Sequence, residues 1–187
     1  MSTNRRKFLA AAAGAATLAA QSRPSFPNLR PITEGIVPIS DDERRGRIEK
    51  AQRLMAENKL DAIVLEPGSS LFYYTAIRWG LSERTFGVVL PAKGEPGYVV
   101  AGFEEMRARE LIRFGNDVRV WQEDESPYRR IVQLLKDRGL RTRRIGVEER
   151  LRFFVFDGIR KESQGLEFAS ADPVRSEERR VGKECRL

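Results

Sequence analysis

Three groups of residues have the types and spacing for chemistry. Glu123-Asp124-Glu125 and Glu148-Glu149 set carboxylates side by side, and such oxygens attract a hard divalent cation where they converge. Gly68-Ser69-Ser70 could present a nucleophilic hydroxyl, provided that a base activates it. Ile77-Arg78-Trp79-Gly80-Leu81-Ser82-Glu83-Arg84 joins arginines to a tryptophan, a pairing suited to a carboxylate on an apolar body.

The composition limits each of these. The 187 residues include no histidine, which removes the usual base for a serine, the His-based triads and the commonest transition-metal ligand. Gly68-Ser69-Ser70 is therefore expected as a turn. Glu123 to Glu125 precede Pro127, and Glu148-Glu149 precede another expected helix, so their charge has a simpler use beside a helix N-terminus. Cys185 is the one cysteine, which excludes an intramolecular disulfide and a thiolate cluster.

The elements that must position these residues follow from periodicity. Ser40-Asp41-Asp42-Glu43 has the form of a capping box, and Ile48, Ala51 and Met55 recur at helical spacing up to about Asn58. Asp61 to Leu65 reads as a strand closed by a turn at Glu66-Pro67-Gly68. Thr85 to Leu90 and Tyr98 to Ala101 flank the Lys93–Gly97 turn and are expected to pair as a hairpin. Phe103, Met106, Leu111 and Phe114 are expected on one face of a helix stopping at Gly115. A strand at Val118 to Trp121 follows. Ser126 and Pro127 then open a helix carrying Tyr128, Ile131, Val132 and Leu135. A strand at Arg144 to Val147, a helix at Leu151 to Ile159 and a strand at Leu166 to Phe168 complete the order αβββαβαβαβ. The fold class is α/β: one mixed sheet flanked by helices. Phe153, Phe154 and Phe156 form an aromatic group for the core, with an exposed share available for docking.

Both ends differ from this body. Arg5, Arg6 and Lys7 precede a mildly apolar run of 13 residues ending at Ala20, too short to span a bilayer stably. The paired Arg5-Arg6 followed by Lys-Phe-Leu resembles a twin-arginine export signal, so residues 1–20 are expected to direct export to a bacterial periplasm. Residues 21–39, with Pro24, Pro27, Pro31 and Pro38, read as a Pro-rich linker. Residues 175–187 resemble the conceptual translation of a sequencing adaptor and are expected not to be native, which sets Cys185 aside. The net charge of +7 invites a nucleic-acid reading. Removing the +3 of Arg5 to Lys7 and the +2 of residues 175–187 leaves +2 for the body, which withdraws most support from that partner.

The order of several phrases between Ser40 and Val174 resembles the N-terminal domain of the creatinase, prolidase and aminopeptidase P family. Arg47 to Leu65 is similar to its opening helix and strand, and Tyr73-Tyr74-Thr75-Ala76 to its Tyr-Leu-Thr-Gly segment, with Ala76 where glycine is usual. Phe103-Glu104-Glu105, Arg143 to Glu148 and Ala171-Asp172-Pro173-Val174 match later parts in order. The resemblance implies that residues 40–174 are the non-catalytic N-terminal domain of an exported Xaa-Pro peptidase. On that reading the chain stops before a C-terminal catalytic domain, and it holds no cofactor. Two divalent ions (Mn, Co or Zn) would sit in that further domain. The full-length protein is expected to be a homo-oligomer without a stable membrane span. Trp79 and Arg84 are the substrate-entrance candidates. The plainer alternative for them is an Arg–Glu surface pair beside a tryptophan at the core edge. Two other readings stay open: a stand-alone exported binding module of this fold, and a fragment of a creatinase-like amidinohydrolase.

Overall fold

The structure, a computed structural model, describes residues 33, 35–140 and 143–175. The chain divides into two units, Met1–Pro38 and Ile39–Leu187. In the first, the Ile36 amide donates to the Thr33 carbonyl at 3.2 Å. The second unit contains the elements α1 (Asp41–Glu57), β1 (Ala62–Leu65), α2 (Ser69–Thr75), β2 (Gly87–Pro91) and β3 (Gly97–Ala101). After a 3₁₀ turn at Gly102–Glu104 come α3 (Glu105–Leu111), β4 (Asp117–Trp121), α4 (Pro127–Asp137), β5 (Arg144–Val147), α5 (Phe153–Glu162) and β6 (Glu167–Ser170).

The strands form one six-stranded mixed sheet in the order β4-β3-β2-β1-β5-β6. β1–β2 and β2–β3 are antiparallel, whereas β3–β4, β1–β5 and β5–β6 are parallel. The central strands are buried on both faces, which explains why Ala62 to Leu65 is apolar without alternation. Ile63 and Leu65 join the core with Ile48, Ala51 and Met55 of α1, while Ala62 and Val64 pack with Ile131, Leu135, Val155 and Ile159 of α4 and α5. One apolar run thus supplies two cores.

Local capping sets the helix starts. The Glu43 amide donates to Ser40 Oγ at 3.1 Å, and the Arg129 amide to Ser126 Oγ at 3.2 Å, with Pro127 at the first helical turn. Glu43 does not reach back to Ser40; its carboxylate pairs with Arg47 one turn on. α4 and α5 approach closely because Gly158 leaves room for the Tyr128 ring, which a Cβ would meet at 2.3 Å.

Three expectations need correction. The order lacked α2: Ser69 and Ser70 begin a helix rather than completing a turn. Seven residues rich in aromatics give no helical periodicity, and side chains from α1 hold this helix from outside. The expected helix to Gly115 ends instead at Leu111, and Phe103 and Met106 are 65% and 78% exposed. Ala108 is its buried residue, and Ile112 to Phe114 run on toward Gly115. Gly115 has φ +73 and passes so near Pro96 that a Cβ would lie 2.3 Å from that carbonyl oxygen. Its glycine therefore serves a close crossing and not a helix cap. Finally, α5 starts at Phe153 rather than Leu151, because Leu151 and Arg152 are taken up by the turn after β5.

Candidate functional site

The loop after α2 is positioned from α1. Arg44, a buried residue, donates from Nη1 to the carbonyls of Phe72 (2.6 Å) and Tyr73 (3.0 Å), and Arg47 donates to Tyr73 at 3.2 Å. The Tyr73 carbonyl is one of those left open at a helix C-terminus, while that of Phe72 also accepts from the Ala76 amide at 3.0 Å. Burial, followed by the neighbouring Arg47 and Arg113, lowers the pKa of Arg44 from its usual value. Thr75 Oγ1 donates to the Leu71 carbonyl at 2.7 Å and accepts from the Ile77 amide at 3.2 Å. The chain then turns through Ala76, at φ 64 and ψ 1. This is the left-handed region, which accounts for the glycine usual in the resembling segment.

Beyond Ala76 the loop is a layer of arginines and rings. Trp79 stacks on Phe86 with centroids 4.4 Å apart and an interplanar angle of 17°, and the guanidinium of Arg107 on α3 lies 4.4 Å from the centroid of the Trp79 ring. Arg84 Nε donates to Glu123 at 3.0 Å and Nη1 to Glu83 at 2.5 Å, while its guanidinium lies 5.1 Å over Phe103. The hydrogen bond to Glu123 leads the effects that raise its pKa. Trp79 and Arg84 thus lie on one loop, each facing a residue of the Gly102–Leu111 stretch. Arg78 lies 4.6 Å over Phe72 and has no carboxylate partner among the described residues. The residues Ser69, Phe72, Ile77, Arg78 and Trp79 line a cleft of ≈ 500 Å³.

A second group lies at the ends of the neighbouring parallel strands β1 and β5. Glu66 follows β1 and is 4% exposed; Glu148 follows β5 and is 6% exposed. Arg152 donates to Glu66 Oε1 from Nε (3.0 Å) and Nη2 (2.6 Å), and its amide donates to Oε2 at 2.9 Å. Nη1 continues to the Ser82 carbonyl at 2.6 Å, which fastens the loop carrying Trp79 and Arg84 to α5. Ser70 Oγ donates to Glu148 at 2.5 Å, and Arg175 lies 3.6 Å from the same carboxylate and also pairs with Glu149. Burial pushes the Glu148 carboxyl above its usual range, against the opposing effects of Ser70 and Arg175. Arg175 is the one residue of the 175–187 segment among those described.

The remaining candidates resolve into ordinary roles. Glu123 is engaged by Arg84. Glu125 accepts from the Gln122 amide at 2.9 Å and from Arg130 at 2.5 Å, and the amide bond leads the lowering of its pKa. Among the described residues no three His, Cys, Asp or Glu side chains converge to hold a metal ion. The acidic clusters therefore do not fit the two-ion centre that the resemblance implies for a further domain. Phe156 packs edge-on against Phe168 at 5.3 Å, and Phe153 is 76% exposed at a depression of ≈ 440 Å³. Arg5, Arg6 and Cys185 lie outside the described residues, and no helix among those described is long and apolar enough to cross a membrane.

Sequence reasoning did not find Arg44, Arg47, Glu66 or Arg152 as positioning residues. Arg44 and Arg47 share a face of α1, which was the available signal; nothing local told that the face meets α2.

Comparison with known proteins agrees with the geometry. The sequence profile of the Creatinase/Prolidase N-terminal domain matches residues 47–181. An uncharacterized peptidase of Schizosaccharomyces pombe is 31% identical over 150 residues, covering 73% of this chain and 32% of that protein. The chain thus spans about a third of the length of that curated relative. A recombinant prolidase of Thermococcus sibiricus shares the fold with a TM-score of 0.63 at 23% identity, over 72% of this chain and 36% of that one. A proline dipeptidase structure from Streptococcus pneumoniae gives 0.62 at 23% identity, over 73% of this chain and 98% of that one.

Proposed function

The chain belongs to the Creatinase/Prolidase N-terminal domain family, and from that premise we propose that it is the non-catalytic part of an exported Xaa-Pro dipeptidase or aminopeptidase. The observation that carries the reading is the profile match over residues 47–181, on a chain in which no three His, Cys, Asp or Glu side chains among the described residues group to hold a metal ion. Hydrolysis would belong to a C-terminal domain carrying two divalent ions. This domain would contribute to oligomer assembly and restrict access of substrate.

In that role Trp79 and Arg84 border the substrate entrance. Arg84 is suited to shape the loop through Glu83, Glu123 and Phe103, and Trp79 offers an apolar wall. Phe153 and Phe154 would form part of the surface turned to the catalytic domain. The Arg5-Arg6 segment would direct the folded protein to the periplasm.

The test is to sequence the coding locus past the codon for Val174 and express the whole product with Mn, Co or Zn. The reading expects metal-dependent hydrolysis of an Xaa-Pro dipeptide. A product inert toward Xaa-Pro bonds under all three metals would remove it.

A further inference from the structure

Arg78 differs from the arginines around it. Arg44 and Arg47 are spent on the carbonyls of Phe72 and Tyr73, Arg84 on two carboxylates, and Arg107 on Glu104 at 3.9 Å and the Trp79 ring. Arg78 lies over Phe72 without an ion pair among the described residues. A guanidinium stacked on a ring keeps its in-plane N–H groups available, in the fork that matches a carboxylate. Its support is pre-organised: Arg44, buried, lies 5.1 Å over the same Phe72 ring and bonds the Phe72 carbonyl.

The surroundings define the rest of a ligand. Ser69 lines the same cleft and its hydroxyl can donate to a carboxylate, while Phe72, Ile77 and Trp79 provide apolar walls. The space of ≈ 500 Å³ is of the size that holds a small molecule. We propose that Arg78 is the carboxylate-binding group of this cleft, and that the ligand is a small carboxylate with an apolar ring or chain beside it. The proposal rests on the substrate-entrance reading of the same loop and deepens it: Arg84 shapes the loop, and Arg78 makes the polar contact.

The experiment is a titration of the full, isotope-labelled chain with N-acetyl-L-proline and, separately, N-acetyl-L-prolinamide. It follows the Arg78 Nε–H and Trp79 Nε1–H resonances. The acid is expected to shift both and to saturate at roughly 1–10 mM, a range typical of weak small-ligand binding. The amide should bind at least roughly tenfold more weakly, about 1.4 kcal/mol. Arg78→Gln should lose the acid's affinity by a similar factor, while Arg160→Gln, at an exposed pair with Asp157 on α5, stays within about twofold of the parent. Equal binding of acid and amide, unchanged affinity in Arg78→Gln, or no saturable shift would each overturn the proposal. If N-acetylglycine binds as well as the proline acid, Arg78 keeps its role and the proline part of the proposed function fails instead.

Discussion

Arg152 closes on Glu66 from three directions: Nε and Nη2 donate to Oε1, and the Arg152 amide donates to Oε2, so the end of β1 is tied to the start of α5. The carboxylate is buried while the arginine is partly exposed, which makes the two halves of the pair unequal. Removing the arginine strands a buried charge, whereas removing both leaves only a gap.

Arg152→Ala is accordingly expected to destabilise the domain by about 3 kcal/mol, read as a lower urea midpoint at unchanged slope. Adding Glu66→Gln to that variant should recover part of the loss. A loss below about 0.5 kcal/mol would mean that the pair behaves as an exposed one.

Ala76→Gly is expected to stabilise. Ala76 holds φ 64, where a Cβ costs about 1 kcal/mol that glycine does not incur. The gain is reduced by the greater freedom of glycine in the unfolded chain. A thermal midpoint raised by about 1–3 °C fits the remainder; a lowered midpoint would contradict the strain.

Gly158→Ala is expected to have the opposite sign to the usual helix substitution. In an exposed helix the change is favourable by roughly 1 kcal/mol, but here the new methyl meets the Tyr128 ring. Overpacking of this kind costs about 1–3 kcal/mol. Denaturant unfolding of Gly158→Ala alone and with Tyr128→Ala checks it, the second change relieving the contact.

Much of this fold was legible because its signals are local. The Ser40 and Ser126 caps, the apolar run of β1 and the hairpin around Gly94 each state their structure within a few residues. α2 was not legible, since its seven residues are held at the C-terminus by Arg44 and Arg47 across 26 to 29 positions of sequence. The same distance hid Arg152 as the partner of Glu66, 86 positions away. Trp79 and Arg84 were picked out by residue type, but which arginine is left unpaired in that loop depends on where Glu123 folds back. The Phe103 and Met106 face failed because apolar spacing cannot tell a core face from an exposed one on a helix of two turns.

Two carboxyls should give opposite slopes of stability with pH. Glu148 is raised in the folded state by burial, so its contribution is full below the unfolded value and is lost as pH rises through the folded one. Asp117 is raised by burial but lowered further by hydrogen bonds from Arg119 and Arg138. Its net folded value is depressed, so its contribution is present above the unfolded value and is lost as pH falls through the folded one. Glu148→Gln should therefore gain on the parent as pH climbs above the carboxylate range, and Asp117→Asn should flatten the acid limb. Urea midpoints between pH 3 and pH 8 check both signs.

The most direct test of the central claim is an assay of the purified chain on an Xaa-Pro dipeptide with Mn, Co and Zn in turn. The account expects a folded protein with no metal-dependent hydrolysis, because its described carboxylates do not converge to hold an ion. Hydrolysis by this chain that rises with added metal and disappears with chelator would contradict it.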